Sequence, residues 1–295
     1  MSKLIWDAIG ERFFETGISH GVLYPLNAAL NTYPLGYVWN GLTGVTETPA
    51  GADLTDLWAD DIKYASIRAA DTFGATIEAY TYPEKFAECD GSAALVAGIY
   101  IGQQSRKTFG FAYRTVIGND AEGLDGAAGY KLHLIYGASA APSEKAFATI
   151  NDSPDAITFS WELSTTPVPV TGHKPTALLT IESTKVDPTK LAALEDILYG
   201  TASLAPRLPL PNEVATLMTG TAVIPTVPTF VAATGVLTIP ALTGVIYLVN
   251  GVVTVAGPMV AMVGGVSAVV TADPAATYYF AAGTNDAWTF VSTKP

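Results

Sequence analysis

Along much of the chain apolar and polar positions alternate with a period of two, the pattern of a sheet with one buried face. The clearest run is Ala156-Ile157-Thr158-Phe159-Ser160-Trp161-Glu162-Leu163-Ser164. Segments 74–82, 109–117, 129–136 and 176–183 have similar length and the same enrichment in β-branched and aromatic residues, and read as further strands. One helix is specified by its ends. Asp187 suits the N-cap, Pro188 the first helical position, and Gly200 the left-handed site past the last turn. Between them Leu191, Leu194, Ile197 and Leu198 recur at helical spacing and predict a packed face. A shorter helix is expected over 212–218. Strands with a packed helix predict a mainly β, α+β domain.

Past residue 220 the pattern changes. Apolar runs at 245–249, 252–255, 259–263 and 266–270 are separated by Asn250-Gly251, Gly257-Pro258 and Gly264-Gly265. This punctuation predicts a meander of short strands, and Asn-Gly between two such runs is a strong hairpin signal. No charged residue occurs between Glu213 and Asp273, a stretch far longer than the roughly 20 residues that span a bilayer. The glycine and proline breaks argue against a membrane helix, and no flanking basic cluster would orient one. Membrane insertion is not expected.

Charge and composition change the picture at two points. Residues 1–220 carry 25 acidic and 14 basic groups, a net of −11, whereas residues 221–295 carry only Asp273, Asp286 and Lys294, a net of −1. With the composition shift at Thr219-Gly220-Thr221 and the Pro225–Pro228 run, this places a domain boundary between residues 1–220 and 221–295. Only 14% of the 295 residues are charged while 49% are apolar, against about 25% charged in a typical soluble domain. A chain of this kind hides much of its surface against partners. The net charge of −12 excludes phosphate-led nucleic-acid binding. Cys89 is the sole cysteine, so no intrachain disulfide forms. The opening Met1–Asp7 turns acidic before any apolar run, so no secretion signal is expected, and the Asn151-Asp152-Ser153 sequon reads as incidental.

Segment 39–61 stands apart. It combines Asn40-Gly41, Gly44, Pro49-Ala50-Gly51 and four aspartates with Trp39, Leu42, Val45, Leu54, Leu57 and Trp58. So long a loop is usually functional, and it is too apolar to be solvated disorder. Two expectations stand: an arm that docks on a neighbouring subunit, or an ordinary hairpin of the same sheet.

Chemistry is sparse. There is no phosphate loop, dinucleotide fingerprint, His-Glu-x-x-His site or nucleophile elbow. His20, His133 and His173 are far apart in sequence, and His133, alternating with Leu132 and Leu134, reads as a satisfied strand histidine. Acidic neighbours Glu88 and Asp90 would raise the Cys89 thiol pKa, the opposite of what a nucleophile needs. The acidic stretch 119–126 lacks calcium-loop spacing and reads as a solvated turn. Glu84, Glu88 and Asp90 read as surface charge, and Arg106-Lys107 as a basic pair that salt-bridges to a neighbour. No catalytic residue, metal ligand or cofactor is expected.

Several long phrases carry a family likeness. Gly10-Glu11-Arg12-Phe13-Phe14-Glu15-Thr16-Gly17-Ile18-Ser19-His20-Gly21-Val22-Leu23-Tyr24, Trp39-Asn40-Gly41-Leu42-Thr43-Gly44-Val45-Thr46-Glu47, Phe73–Pro83, Gly129–Gly137 and the helix ending Ile197-Leu198-Tyr199-Gly200 resemble the major tail proteins of long-tailed, non-contractile bacteriophages. The likeness spans residues 1–218. The part after 220, ending in Tyr278-Tyr279-Phe280 and Ala287-Trp288-Thr289-Phe290, resembles the Ig-like domains appended to virion proteins.

The resemblance implies a tail-tube β-sandwich or barrel with one packed helix (Leu191, Leu194, Leu198), followed by an Ig-like sandwich on the outside of the tube, placed to touch the host surface. It implies hexameric rings that stack into a tail tube assembled in the host cytoplasm. Tape-measure, tail-tip and tail-terminator proteins would be partners, and DNA would slide through an acidic channel. Trp39, Leu42, Val45, Leu54, Leu57 and Trp58 are then the expected inter-ring contacts, and a truncation at Thr219 should still form tubes. The competing expectation is a surface adhesin of two β domains. An enzyme reading has only scattered acids behind it.

Overall fold

The computed structural model describes residues 4–51, 53–121, 123, 128–147, 149, 156–202, 204–259, 261–275, 278–281 and 283–294. The Asn151-Asp152-Ser153 sequon and half of the acidic stretch 119–126 lie outside them. Strands make up 48% of the described residues against 10% helix, with two α-helices among them, so the fold is mainly β, as the alternation predicts.

Two compact units divide the chain: residues 1–188 with 205–211, and residues 189–204 with 212–295. The charge-based boundary at 220/221 falls inside the second unit, which takes in both helices. Charge density tracks solvent exposure, whereas a unit is delimited by which segments pack together.

In the first unit the strands are β1 (Phe13–Pro25), β2 (Tyr37–Trp39), β3 (Leu42–Gly51), β4 (Leu54–Ala59), β5 (Ile62–Arg68), β6 (Asp71–Ala79), β7 (Ala93–Val96), β8 (Ile99–Ile101), β9 (Phe109–Asn119), β10 (Tyr130–Ala140), β11 (Phe159–Thr165) and β12 (Leu178–Glu182). Each of the five strands read from alternation is present. The main sheet runs β2-β1-β9-β10-β11-β6-β3, with β12 also pairing β10. Its two ends, β2 and β3, are separated in sequence by only Asn40-Gly41. The sheet therefore rolls until its first and last strands come near each other. Gly21 of β1 makes this possible: a Cβ there would collide with the Leu42 side chain and lie 2.9 Å from the Trp39 carbonyl.

The rolled sheet encloses one core. Leu23, Trp39, Ala75, Ile77, Phe109, Phe111, Ile135, Trp161 and Leu163 come from six strands, and Phe86 and Cys89 from and just after a 3-10 turn over Glu84–Glu88 fill its end. Aromatic edges knit it: Trp39 lies 4.5 Å from Phe86 and 5.5 Å from both Phe111 and Trp161 between ring centres. The segment 205–211 returns to the sheet, where Leu208 bridges Tyr33 and the Pro209 carbonyl accepts from the Tyr136 hydroxyl at 2.9 Å.

Segment 39–61 is not an extended loop. Trp39 ends β2, residues 42–51 form β3, paired with β6 with one register shift between Leu42 and Gly44, and residues 54–59 leave the sheet as β4. Pairing in β3 and β4 satisfies backbone donors that a loop of that length would leave to solvent. The in-sheet alternative thus describes its first half, and a projecting hairpin its second.

In the second unit helix α1 (Pro188–Tyr199) buries Leu191, Leu194, Ile197 and Leu198, the predicted stripe. Gly200 past its end has φ +80°, and its N–H closes on the Asp196 carbonyl at 2.9 Å. Helix α2 (Pro211–Thr219) follows, and the Lys190 ammonium caps its Met218 carbonyl at 2.8 Å. The strands are β13 (Thr221–Ala222), β14 (Thr229–Val231), β15 (Val236–Ile239), β16 (Val245–Val249), β17 (Val252–Thr254), β18 (Gly257–Pro258), β19 (Ser267–Pro274), β20 (Tyr278–Tyr279) and β21 (Ala287–Val291). A three-stranded sheet, β14-β15-β18, and a four-stranded one, β17-β16-β19-β21, share a core of Leu237, Ile239, Tyr247, Val249, Ala268, Val270 and Ala272. β13 and β20 pair in parallel.

Asn250 (φ +49°) and Gly251 (φ +80°) join β16 to β17 as a two-residue turn with both centres left-handed, as the dipeptide predicts. Gly257-Pro258 is not a turn but the short edge strand β18. Proline is tolerated there because its missing N–H faces away from the ladder. The run 259–263 forms no strand among its described residues. Among the described residues no helix is long and apolar enough to cross a membrane.

Candidate functional site

The strands β4 and β5 continue the β3–β6 ladder outward. Gly51 faces Asp71, the Ala69 N–H donates to the Asp53 carbonyl at 3.0 Å, and Leu54 then faces Arg68. The ribbon ends at Asp60-Asp61, both left-handed at φ +51° and +60°. Aspartate accepts this conformation better than most residues, so two aspartates here mark a tight hairpin tip.

The ribbon exposes apolar side chains on both faces, Leu54 and Trp58 on the face of Asp56 and Leu57 and Ile67 on the other. Asp56 accepts from the Ser66 hydroxyl at 2.7 Å and from the Lys63 ammonium at 2.8 Å, which together hold its carboxyl below the usual range. These three occupy one face. Thr55 faces Ile67 and Leu57 faces Ala65, and strand alternation puts them on the other. Leu54, Leu57, Ile62 and Ile67 are exposed, and Trp58 and Tyr64 lie open at 69% and 72% of their surface. The sheet core does not reach them.

The six residues expected to act together are therefore split by the fold. Trp39 is 2% exposed and donates its indole N–H to the Thr81 carbonyl at 2.8 Å, while Leu42 and Val45 pack on the same core. Those three are structural, because the strand that carries them completes the rolled sheet. Leu54, Leu57 and Trp58 sit together on the ribbon.

Two further apolar surfaces escape the alternation rule. The hairpin β7–β8 exposes Leu95, Val96, Ile99, Tyr100 and Ile101, and the segment before β1 with the start of that strand exposes Leu4, Ile5, Trp6, Ile9, Phe13 and Phe14. A short apolar run around Gly98 (φ +82°) signals the first of them.

A polar network lies where the core opens. His133 is buried, stacked on Tyr113 with ring centres 4.6 Å apart and planes 5° from parallel. Its Nδ1 lies 3.2 Å from Glu47 and its Nε2 3.4 Å from Glu15, and Thr115 is 3.1 Å from Nε2. The Nδ1 contact has ion-pair separation without hydrogen-bond alignment. Glu47 also accepts from the Tyr113 hydroxyl at 2.6 Å, and Glu15 from Lys131. The contact with His133, with Tyr113 beside it, outweighs burial and holds the Glu47 carboxyl below its ordinary value. Burial pushes Glu15 upward, but Lys131 and Thr115 together hold it low. The arrangement ties β1, β3, β9 and β10 together by charge. His133 is thus a buried strand histidine whose Nε2 is hydrogen-bonded to Thr115 while its Nδ1 makes no hydrogen bond, and the glutamates beside it come from positions remote in sequence.

Of the acids clustered near Cys89, Glu88 and Asp90 form ion pairs, and Glu84 accepts from the Tyr100 hydroxyl at 3.3 Å. Glu88 takes Lys85 at 2.5 Å and Lys107 at 2.6 Å. Asp90 is buried rather than surface charge; it takes Lys145 at 2.6 Å, while its carbonyl accepts from Arg106. Arg106 and Lys107 thus have partners within their own chain. Burial, with Glu88 adding to it, pushes the Cys89 thiol up to about 12, which keeps it protonated and unreactive. Among the described residues no group of three His, Cys, Asp or Glu is arranged to hold a metal ion. Compared with known proteins, the chain matches no family model and no curated sequence.

Proposed function

We propose that the chain is a structural subunit that assembles with copies of itself into stacked rings around a channel, the tail tube its resemblance to phage major tail proteins implies. The observation that carries this reading is the ribbon over Leu54–Arg68: two strands with no core of their own, bearing exposed Leu54, Leu57, Trp58, Ile62, Tyr64 and Ile67. An isolated hairpin is marginal in water, and contiguous exposed apolar surface marks an interaction site. The ribbon is a segment completed by a neighbour.

The edges of the rolled sheet support the same reading. Among the described residues, Phe13–Thr16 of β1 pair only with β9, and β12 pairs only with β10. Open edges of this kind accept a strand from another chain. Joined head to tail, one edge to the other, copies would close into a ring, and the unlike faces of a ring permit stacking. The net charge of −12 suits a channel through which DNA slides without sticking. Tape-measure, tail-tip and terminator proteins are the further partners of this reading, and the assembled virion tail its location.

Negative-stain electron microscopy of the purified protein, fresh and concentrated, with light scattering for mass, tests it. Rings or hollow tubes are expected. A chain that stays monomeric at every concentration and joins nothing when mixed with tail-tip components overturns the proposal.

A further inference from the structure

The ribbon and a basic cleft lie at opposite ends of one strand. The ribbon leaves the sheet where Gly51 faces Asp71, at the start of β6. At its other end β6 finishes at Ala79, opposite Leu42 and Phe159, and leads into the 3-10 turn. Past that end lies a cleft of about 640 Å³ lined by Gly91, Ser92, Gln104, Arg106, Ser143 and Lys145, with Asp90 at its base. The Gln104 N–H donates to the Gly91 carbonyl at 2.9 Å and joins two of its walls. Asp90 is buried and taken by Lys145 at 2.6 Å. The Arg106 guanidinium donates to the Asp90 carbonyl at 3.0 Å, and among the described residues no carboxylate pairs with it. Two cations against one carboxylate reverse the balance of a chain with 15 basic and 27 acidic residues. The hairpin β7–β8 springs from the rim of the cleft, between Ser92 and Gly102, and bears exposed Val96, Ile99 and Tyr100.

We infer that the ribbon tip of one copy docks in this cleft on the next copy, with Asp60 and Asp61 toward Arg106 and Lys145. The inference rests on the reading of the chain as a self-assembling subunit and names the surface that receives its ribbon. Asp60 and Asp61 are exposed at the tip, between exposed Trp58 and Ile62. Carboxylates flanked by apolar groups complement cations flanked by an apolar hairpin. In a chain of net charge −12, this cleft is a place where an acidic tip is attracted rather than repelled. The chain's own ribbon cannot fill it. β6 has 9 residues, so about 30 Å separate its two ends, and the ribbon runs outward from the far one. The occupant is therefore the tip of another copy. Because tip and cleft are unlike surfaces, each copy gives one and takes one, and the series stays open, as stacking requires. Trp58 and Ile62 against β7–β8 supply the apolar contact, and the carboxylates fix its register.

Asp60→Asn with Asp61→Asn tests the charges, because asparagine keeps the left-handed backbone of the tip. Removing negative charge would by itself ease association of acidic chains. Docking predicts the opposite sign: the concentration at half-maximal scattering should increase about fivefold. In an Arg106→Glu background the asparagine pair should instead lower that concentration, because it then removes a repulsion. Arg106→Gln, which sets no new charge beside Asp90, should abolish the increase and serves if Arg106→Glu does not fold. Separately, full chains carrying Ile62→Cys and Gln104→Cys, mixed with a short bis-maleimide, should link into heterodimers, since Cys89 is buried. Thr229→Cys in place of Gln104→Cys should not link. Rings or tubes with neither the sign inversion nor heterodimers above that control overturn this inference and leave the tube reading standing. Heterodimers without rings or tubes do the reverse. Absence of both overturns both.

Discussion

At the scale of single residues, Trp39 and Trp58 show how neighbours in sequence take opposite roles. Trp39 fills the core and has its indole N–H satisfied; Trp58 stands in solvent on the ribbon. Trp39→Ala should cost about 3–5 kcal/mol of stability, read by urea unfolding. Trp58→Ala should change stability by less than about 0.5 kcal/mol yet weaken assembly, read by light scattering. Equal effects on stability would contradict the placement. The carboxylates around His133 make a pH prediction. Glu15 and Glu47 are held below their ordinary value of 4.5 in the folded chain. A depressed folded value adds stability above the unfolded value, and that stability disappears as pH falls through the folded one. Unfolding midpoints should therefore drop as pH falls below about 4.5, and Glu47→Gln should flatten the drop. An unchanged acid profile in that variant would remove Glu47 from the account.

Among the elements, the ribbon is the one whose loss should leave the fold intact. It hangs from β3 and β6 and contributes nothing to the buried core. Replacing residues 55–67 by Asn-Gly, so that Leu54 and Arg68 flank a two-residue turn, should give a folded chain with near-normal melting that no longer assembles. Retained assembly would show that the apolar ribbon is not the contact. The turn at Asn250-Gly251 makes the opposite case. Gly251 sits at φ +80°, where a Cβ is strained though nothing lies in its way. Gly251→Ala should therefore cost about 1 kcal/mol by thermal unfolding without affecting contacts elsewhere.

For the whole molecule, a low density of charge and a strong net sign pull against each other. Apolar surfaces favour association while the net charge of −12 opposes it. Raising ionic strength screens the repulsion, with a Debye length of about 8 Å at 0.15 M and about 3 Å at 1 M. The concentration needed for assembly should thus fall as sodium chloride rises, measured by scattering across a salt series. Dissolution by salt would instead point to ion pairs as the dominant contacts.

The sequence by itself determined the mainly β class, the five alternating strands, the helix between Asp187 and Gly200, and the left-handed turn at Asn250-Gly251. These follow from periods of 2 and 3.6 and from backbone preferences of single residues, which act locally. Only the tertiary structure decided the rest. It drew Trp39, Leu42 and Val45 into the core and left Leu54, Leu57 and Trp58 outside, because the sheet closes through Asn40-Gly41 and the chain then runs past it. It turned Gly257-Pro258 from an expected turn into an edge strand, because β15 offered a ladder to pair with. It set Glu15 and Glu47 on either side of His133, across 118 and 86 residues of sequence. Whether an apolar residue is core or contact depends on what closes over it, and that is a property of packing that no local pattern encodes.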